Sequence, residues 1–268
     1  RKDIKTDGRH AEIEYTDNWE QDSERRDFTI NAIYLDINGK IFDPQQGITD
    51  LKNHNIKFIG DPQKRIEEDY LRIIRFIRFS LEYESKIEQT TIEAIKLNLD
   101  GIKKISKERI LSELFKILSL KNFVKLNNNQ DLRDIFLLIF PEFKNLDRLN
   151  RLKSLLDYLN FDKETLLAVL LIDENSSQEY FLHKYNVSNE IKESLNLMTK
   201  NFRSLQSNKK FLQKDLKKNV YLFGKNHLIG LNTLYFINEK KLKLKDYLNT
   251  LSNIKKFNIP KLSFDGKY

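Results

Sequence analysis

Up to residue 60 the apolar positions fall in short alternating runs, and beyond it they recur every three or four residues. Ala11-Glu12-Ile13-Glu14-Tyr15 alternates as a half-buried strand does, and so does Ile56-Lys57-Phe58-Ile59. Ala32-Ile33-Tyr34-Leu35-Asp36-Ile37 and Lys40-Ile41-Phe42 flank Asn38-Gly39, a pair that predicts a β-hairpin because both residues tolerate positive φ. Asp61-Pro62 is a helix start, an acceptor side chain followed by proline at the first helical position. Helical spacing then predicts helices over roughly 64–84, 89–98, 106–120, 130–140, 147–159 and 162–172. Gly101 is the only glycine between Gly60 and Gly224, and no segment repeats at a fixed period. The pattern predicts an α+β fold, a small sheet-bearing region followed by a long helical array.

Composition narrows the function classes. With 268 residues, 40% hydrophobic and 32% charged, the chain reads as a soluble globular protein of two domains or one larger array. The absence of cysteine excludes a disulfide framework, a zinc finger and a cysteine nucleophile, and the four histidines, at 10, 54, 183 and 227, are too scattered for a metal cluster. No apolar run approaches the roughly 20 residues of a membrane helix, and no signal peptide opens the chain, so the expectation is a cytoplasmic protein with no membrane partner. The first residue is Arg1, in a polar stretch, which suggests a piece of a longer protein. Charge is uneven: residues 1–60 carry a net −3, residues 61–199 a net −1, and residues 200–268 hold 16 Lys and Arg against 4 Asp and Glu, a net +12. Such a field attracts a polyanion, nucleic acid being the commonest, although a solvated lysine-rich surface has the same composition.

On the helix expected over 64–84, Arg65, Glu68, Asp69, Arg72, Arg75 and Phe79 share an arc of about 120°, while Ile66, Tyr70, Ile73, Ile74, Ile77 and Leu81 form a separate apolar stripe. One reading of the polar arc is a surface ion pair between Asp69 and Arg72, worth a few tenths of a kcal/mol. The other is base selection. Cytosine and adenine present an amino donor beside a ring-nitrogen acceptor, and uracil and guanine present the reverse order. A carboxylate beside a guanidinium therefore matches C and A and leaves a charged group unpaired against U and G. Phe76 or Phe79 could supply a stacking surface.

The segment Arg25-Arg26-Asp27-Phe28-Thr29-Ile30-Asn31-Ala32-Ile33 places two guanidiniums, a carboxylate and an amide together. Arg26 suits a triphosphate, and Asp27 and Asn31 suit sugar hydroxyls or local backbone capping. Arg-Arg-Asp-Phe-Thr-Ile-Asn-Ala resembles the second head-domain motif of the bacterial-type (class II) tRNA nucleotidyltransferase and poly(A) polymerase family. Glu68-Asp69-Tyr70-Leu71-Arg72-Ile73-Ile74-Arg75 resembles that family's base-selecting neck motif. Thr6-Asp7-Gly8-Arg9-His10-Ala11 is similar to its flexible loop, and Asp43-Pro44 through Gly47 with Asp50-Leu51 to its head–neck linker.

The resemblance implies a division into part of a nucleotidyltransferase head at 1–60, a helical neck at 61–121, and a body with a basic tail at 122–268. It implies that Arg26 binds the triphosphate, that Asp27 and Asn31 shape the ribose and phosphate pocket, and that Arg75 helps hold the nucleotide. Asp69 and Arg72 become the template for CTP and ATP, with Glu68 orienting Arg72, and the body and tail grip the acceptor and TΨC arms of tRNA. The implied activity is untemplated addition of C, C and A to the tRNA 3′ end. The family's Mg²⁺ ions are bound by an Asp-x-Asp pair near a Gly-Gly strand, and neither motif occurs in this chain. Glu12-Ile13-Glu14 mimics the spacing but follows the loop motif, out of order, and reads as exposed strand. The expectation is therefore N-terminal truncation, with no catalytic or metal residue in the chain and no activity alone. No His-Asp pair is present for a phosphohydrolase domain. Poly(A) polymerase, a CC- or A-adding relative and a non-catalytic RNA-binding remnant are the alternatives, and a helical protein-interaction array leaves residues 25–33 unexplained.

Overall fold

The computed structural model describes residues 2–6, 11–14 and 18–257, with 2–6, 11–14, 209 and 210 placed by backbone alone. Asp7-Gly8-Arg9-His10 of the loop resemblance lie outside the described residues, as do the side chains of Glu12 and Glu14. The chain forms two compact units, residues 1–141 and 142–268, and its architecture is α+β.

The first unit opens with the antiparallel pair β1 (Lys2–Thr6) and β2 (Ala11–Glu14). Helix α1 (Trp19–Glu24) follows, capped by Asn18, whose side chain accepts from the amides of Glu20 and Gln21. A 3₁₀ turn over Thr29–Ala32 leads to the hairpin of β3 (Tyr34–Leu35) and β4 (Ile41–Phe42). The hairpin falls where Asn38-Gly39 predicts it, by a different turn. Only Gly39 has positive φ, 82°, and its N–H donates to the Asp36 carbonyl while the Asp36 N–H donates to the Lys40 carbonyl. This is a three-residue loop closed by glycine in the left-handed region. The Asp36 carboxylate fixes it, accepting from the amides of Asn38 and Lys40.

Helix α2 (Gly47–Lys52) is started by Asp43, which accepts from the amides of Gly47 and Ile48, and it packs on the 3₁₀ turn. Residues 56–59 do not form the expected strand. They make one bridge, Phe28 to Phe58, through bonds from the Thr29 amide to the Lys57 carbonyl and from the Ile59 amide to the Asp27 carbonyl. The pairing stops there because the partner segment turns into the 3₁₀ helix at Thr29.

The helix expected over 64–84 is two helices, α3 (Pro62–Glu68) and α4 (Leu71–Glu82). Asp61 caps the first, as its sequence predicts, and Asp69 separates them in extended conformation (φ −155°, ψ 103°). Its Oδ1 accepts from the Leu71 amide at 3.1 Å and its carbonyl from the Arg72 amide at 3.0 Å, so its side chain starts α4 rather than continuing α3. The apolar stripe survives the break: Ile66, Ile73, Ile74 and Ile77 are fully buried and Leu81 nearly so. Helix α5 (Gln89–Asn98) packs on α3, and α6 (Lys107–Leu118) packs on α4. Helix α7 (Gln130–Ile139) completes the unit.

The second unit comprises α8 (Arg148–Leu152), α9 (Lys163–Leu171), α10 (Ser177–Tyr185), α11 (Asn189–Ser207), α12 (Leu216–Phe223), α13 (Lys225–Asn238) and α14 (Leu244–Lys256). The helix expected over 147–159 is shorter, α8 passing into a 3₁₀ turn at Lys153–Leu155. Helix α9 is buried from Thr165 to Leu171 and packs against α11 and α13, so it carries apolar residues all round rather than a stripe. Arg148 donates to the carbonyls of Val169 and Ile172, meeting the orphan acceptors at the C-terminus of α9. Among the described residues no helix is long and apolar enough to cross a membrane.

Candidate nucleotide site

The first unit brings the Arg25–Asn31 segment, the α3–α4 break and the start of α6 together through side-chain bonds. Asp27, buried to 9% exposure, accepts at Oδ1 from Asn31 Nδ2 (2.8 Å) and from the Phe28 amide (3.1 Å), and at Oδ2 from Arg75 Nε (2.6 Å). Burial alone would raise the Asp27 carboxyl, but the bonds from Arg75 and Asn31 outweigh it and hold the pKa below the ordinary carboxylate value. Arg75 also lies 3.8 Å from Glu113 on α6, a buried carboxylate that accepts from Arg78 Nε (2.9 Å) and Lys116 Nζ (2.8 Å). Asp27, Asn31 and Arg75 thus form one bonded set.

Arg26 belongs to a second set. Its Nη2 donates to Asp22 Oδ2 (3.0 Å), and Asp22 also accepts from Arg25 Nε (2.7 Å) and from the Tyr34 hydroxyl (2.9 Å). Burial pushes the Asp22 carboxyl up, yet these three donors hold it well below the usual range. The Arg26 guanidinium lies 5.9 Å from the centre of the Tyr34 ring, and its side chain is 40% exposed.

Asp69 and Arg72 do not form the ion pair that their spacing suggests, because the helix breaks between them. Asp69 Oδ2 accepts from Arg109 Nη2 of α6 at 2.7 Å. Arg72 Nη1 donates to Glu68 Oε2 and to the Arg65 carbonyl, both at 2.6 Å. Burial raises the Glu68 carboxyl, and the Arg72 bond with the charges of Arg65 and Arg72 outweighs it, keeping Glu68 ionised. These bonds engage one nitrogen of the Arg72 guanidinium, and a carboxylate has about four acceptor positions, so both groups can bond a planar base edge while held.

The stacking surface expected from Phe76 or Phe79 is absent. Both are buried, at 1% and 7% exposure, in a cluster with Phe28 and Phe58 that glues the Asp27 segment to α4. Apolar burial outcompeted the polar arc at Phe79, which Arg78 covers at 3.9 Å from the ring centre.

Asp22, Arg109 and Glu113 complete the site without having been singled out in the sequence, and Arg65, placed on the polar arc there, joins them. Asp22 stands three and four residues before Arg25 and Arg26, a spacing that brings opposite charges together on one helical turn. Glu113 is a carboxylate on the apolar stripe of α6, between Ile110 and Ile117, and such a charge requires buried partners. Nothing local marks Arg109. No group of three or more His, Asp or Glu side chains among the described residues is placed to hold a metal ion.

Comparison with known proteins bears on the same segments. Residues 1–57 match the family described as poly A polymerase head domain, and residues 86–146 the family described as probable RNA and SrmB- binding site of polymerase A. The chain is 48% identical over 121 residues to the CCA tRNA nucleotidyltransferase 1, mitochondrial, of Danio rerio, covering 44% of this chain and 28% of that relative. It is 32% identical over 225 residues to the CCA-adding enzyme of Staphylococcus haemolyticus (strain JCSC1435), covering 83% of this chain and 54% of that relative. The chain therefore spans little more than half the length of these curated relatives at most. Its fold is similar to the crystal structure of the Bacillus stearothermophilus CCA-adding enzyme in complex with CTP, with a TM-score of 0.69 and 21% identity over 90% of this chain and 59% of that one.

Proposed function

We propose that this chain, which belongs to the poly(A) polymerase and CCA-adding tRNA nucleotidyltransferase family, selects CTP and ATP for untemplated addition of C, C and A to the 3′ end of tRNA in the cytoplasm. The observation that carries this reading is the pinning of Asp69 by Leu71 and Arg109 beside the pinning of Arg72 by Glu68 and Arg65. A fixed acceptor and a fixed donor read a base edge without reorganising, and they penalise uracil and guanine by leaving a charge unpaired. Arg26 takes the triphosphate by exchanging its Asp22 partner for phosphate oxygens. Asp27, Asn31 and Arg75 set the ribose and phosphate pocket as one hydrogen-bonded unit. Residues 1–60 act as part of the head, 61–121 as the neck, and 122–268 as the body and tail that hold the acceptor and TΨC arms.

Nucleotidyltransferases of this family use Mg²⁺. The sequence has no Asp-x-Asp pair to hold that ion, so the chain alone is expected to transfer no nucleotide. Magnesium-dependent CMP transfer by the purified chain would refute this. The same missing motif favours a second reading, a non-catalytic RNA-binding remnant, which has no use for a base selector.

Titration of the chain with the four nucleoside triphosphates separates the readings. CTP and ATP are expected to bind and UTP and GTP to be rejected. Binding of ATP alone indicates a polymerase or an A-adding branch, and RNA binding without nucleotide preference indicates the remnant. Arg72→Ala is expected to weaken CTP and ATP alike, and Asp69→Ala to admit UTP. Unchanged nucleotide choice in Asp69→Ala sinks the base-selection reading.

A further inference from the structure

We infer that Arg65 is a positioning residue that couples the triphosphate side of the pocket to its base-reading side, an inference that rests on the nucleotide-selection reading above. Arg65 occupies the last turn of α3 with its side chain 13% exposed. Its Nη2 donates to the backbone carbonyls of Glu24 and Arg26, 41 and 39 residues earlier in the chain. Its Nη1 donates to both oxygens of Glu68, at 3.1 and 2.8 Å. Glu68 in turn accepts from Arg72, and the Arg65 carbonyl accepts from the same Arg72 nitrogen. One residue therefore holds the backbone that carries Arg26 and, through Glu68, the guanidinium that faces the base.

The shape of the side chain explains why it can serve both ends. A planar guanidinium sends two nitrogens in fixed, divergent directions, one to a pair of carbonyls and one to a carboxylate. A lysine ammonium is a single point charge without the planar fork, and reproduces neither the carbonyl pair nor the bidentate carboxylate hold. The remaining nitrogen, Nε, is buried with no partner among the described residues. An unpaired buried donor is costly, so the geometry is held by the two terminal nitrogens. Displacement of either end moves the other: a shift of the Arg26 backbone pulls Glu68 and Arg72, and a base that engages Arg72 tightens the hold on Arg26.

The test reads the two ends separately in wild type, Arg65→Gln and Arg65→Lys. Inorganic tripolyphosphate probes the Arg26 end, and the ratio of CTP to UTP affinity probes the base end, with thermal melting as a check of folding. Both variants are expected to lose affinity for tripolyphosphate and to lower the CTP-to-UTP ratio, each by about tenfold, the scale of one lost charge-assisted hydrogen bond. Arg65→Lys keeps the charge and is the folded comparison where Arg65→Gln melts early. A folded variant in which either readout stays at the wild-type value overturns the coupling, because a merely structural residue lowers stability without moving the ratio. A wild-type chain with no preference for CTP over UTP instead overturns the base-selection reading, and this inference with it.

Discussion

Asp27 shows how much a single residue's surroundings change its chemistry. As sequence it is an acid next to two arginines, and its spacing points to capping or sugar binding. In the fold it is a buried carboxylate whose two oxygens are divided between Asn31 with a backbone amide and Arg75. Its pKa in the folded state lies below the ordinary value, so its contribution to stability is fully present above the unfolded pKa of about 3.9 and is lost as pH falls through the lowered folded value. Asp27→Asn is therefore expected to flatten the acid limb of the stability profile, measured by urea unfolding between about pH 5 and about pH 2. An acid limb as steep in the variant as in wild type would assign the acid sensitivity elsewhere. His227 follows the same sign by another cause: burial lowers its pKa, so its neutral form, bonded to Asn201 at 3.0 Å, supports folding above the usual histidine range.

Among the elements, the junction between α3 and α4 matters most. A two-residue break turns one amphipathic pattern into two helices and places Asp69 off the helical path, where Arg109 reaches it. Tyr70 fills the junction, and Gly101, after α5, lets it do so. A Cβ on Gly101 would fall 2.0 Å from the Tyr70 ring, so the ring or the Gly101 backbone must shift to admit it. Gly101→Ala is expected to cost about 1–3 kcal/mol, the range for overpacking, and to weaken CTP binding beyond that of an equally destabilised control. A thermal melt with a parallel CTP titration checks both, and an unshifted melt would show that the ring has room. The near absence of glycine elsewhere in the helices makes this position legible in the sequence as an exception, although its partner is not.

Across the whole molecule, charge is the property that the sequence states most directly. The excess lies after residue 199, and Lys217 and Lys218 on α12 are exposed, as a polyanion contact requires. Replacing both with alanine is expected to weaken tRNA binding and to lower the slope of log affinity against log salt by about two, one for each lost phosphate contact. An unchanged slope places the contacts on other lysines. The sequence by itself determined the sheet-then-helix order, the hairpin at Asn38-Gly39, the cap at Asp61, the helices 89–98 and 130–140, and the residues that carry the family resemblance. These follow from periodicity, turn chemistry and capping, which act over a few residues. The tertiary structure alone decided that residues 56–59 make one bridge and not a strand, that Phe79 goes inward, that Asp69 pairs with Arg109 and not Arg72, and that Arg65 ties residues 24–26 to Glu68. The apolar stripe keeps its phase through the break at Asp69, so periodicity gives no sign of it. Asp69 leaves the helix because its carboxylate bonds the Leu71 amide and a guanidinium 40 residues away, a competition that only the folded chain resolves.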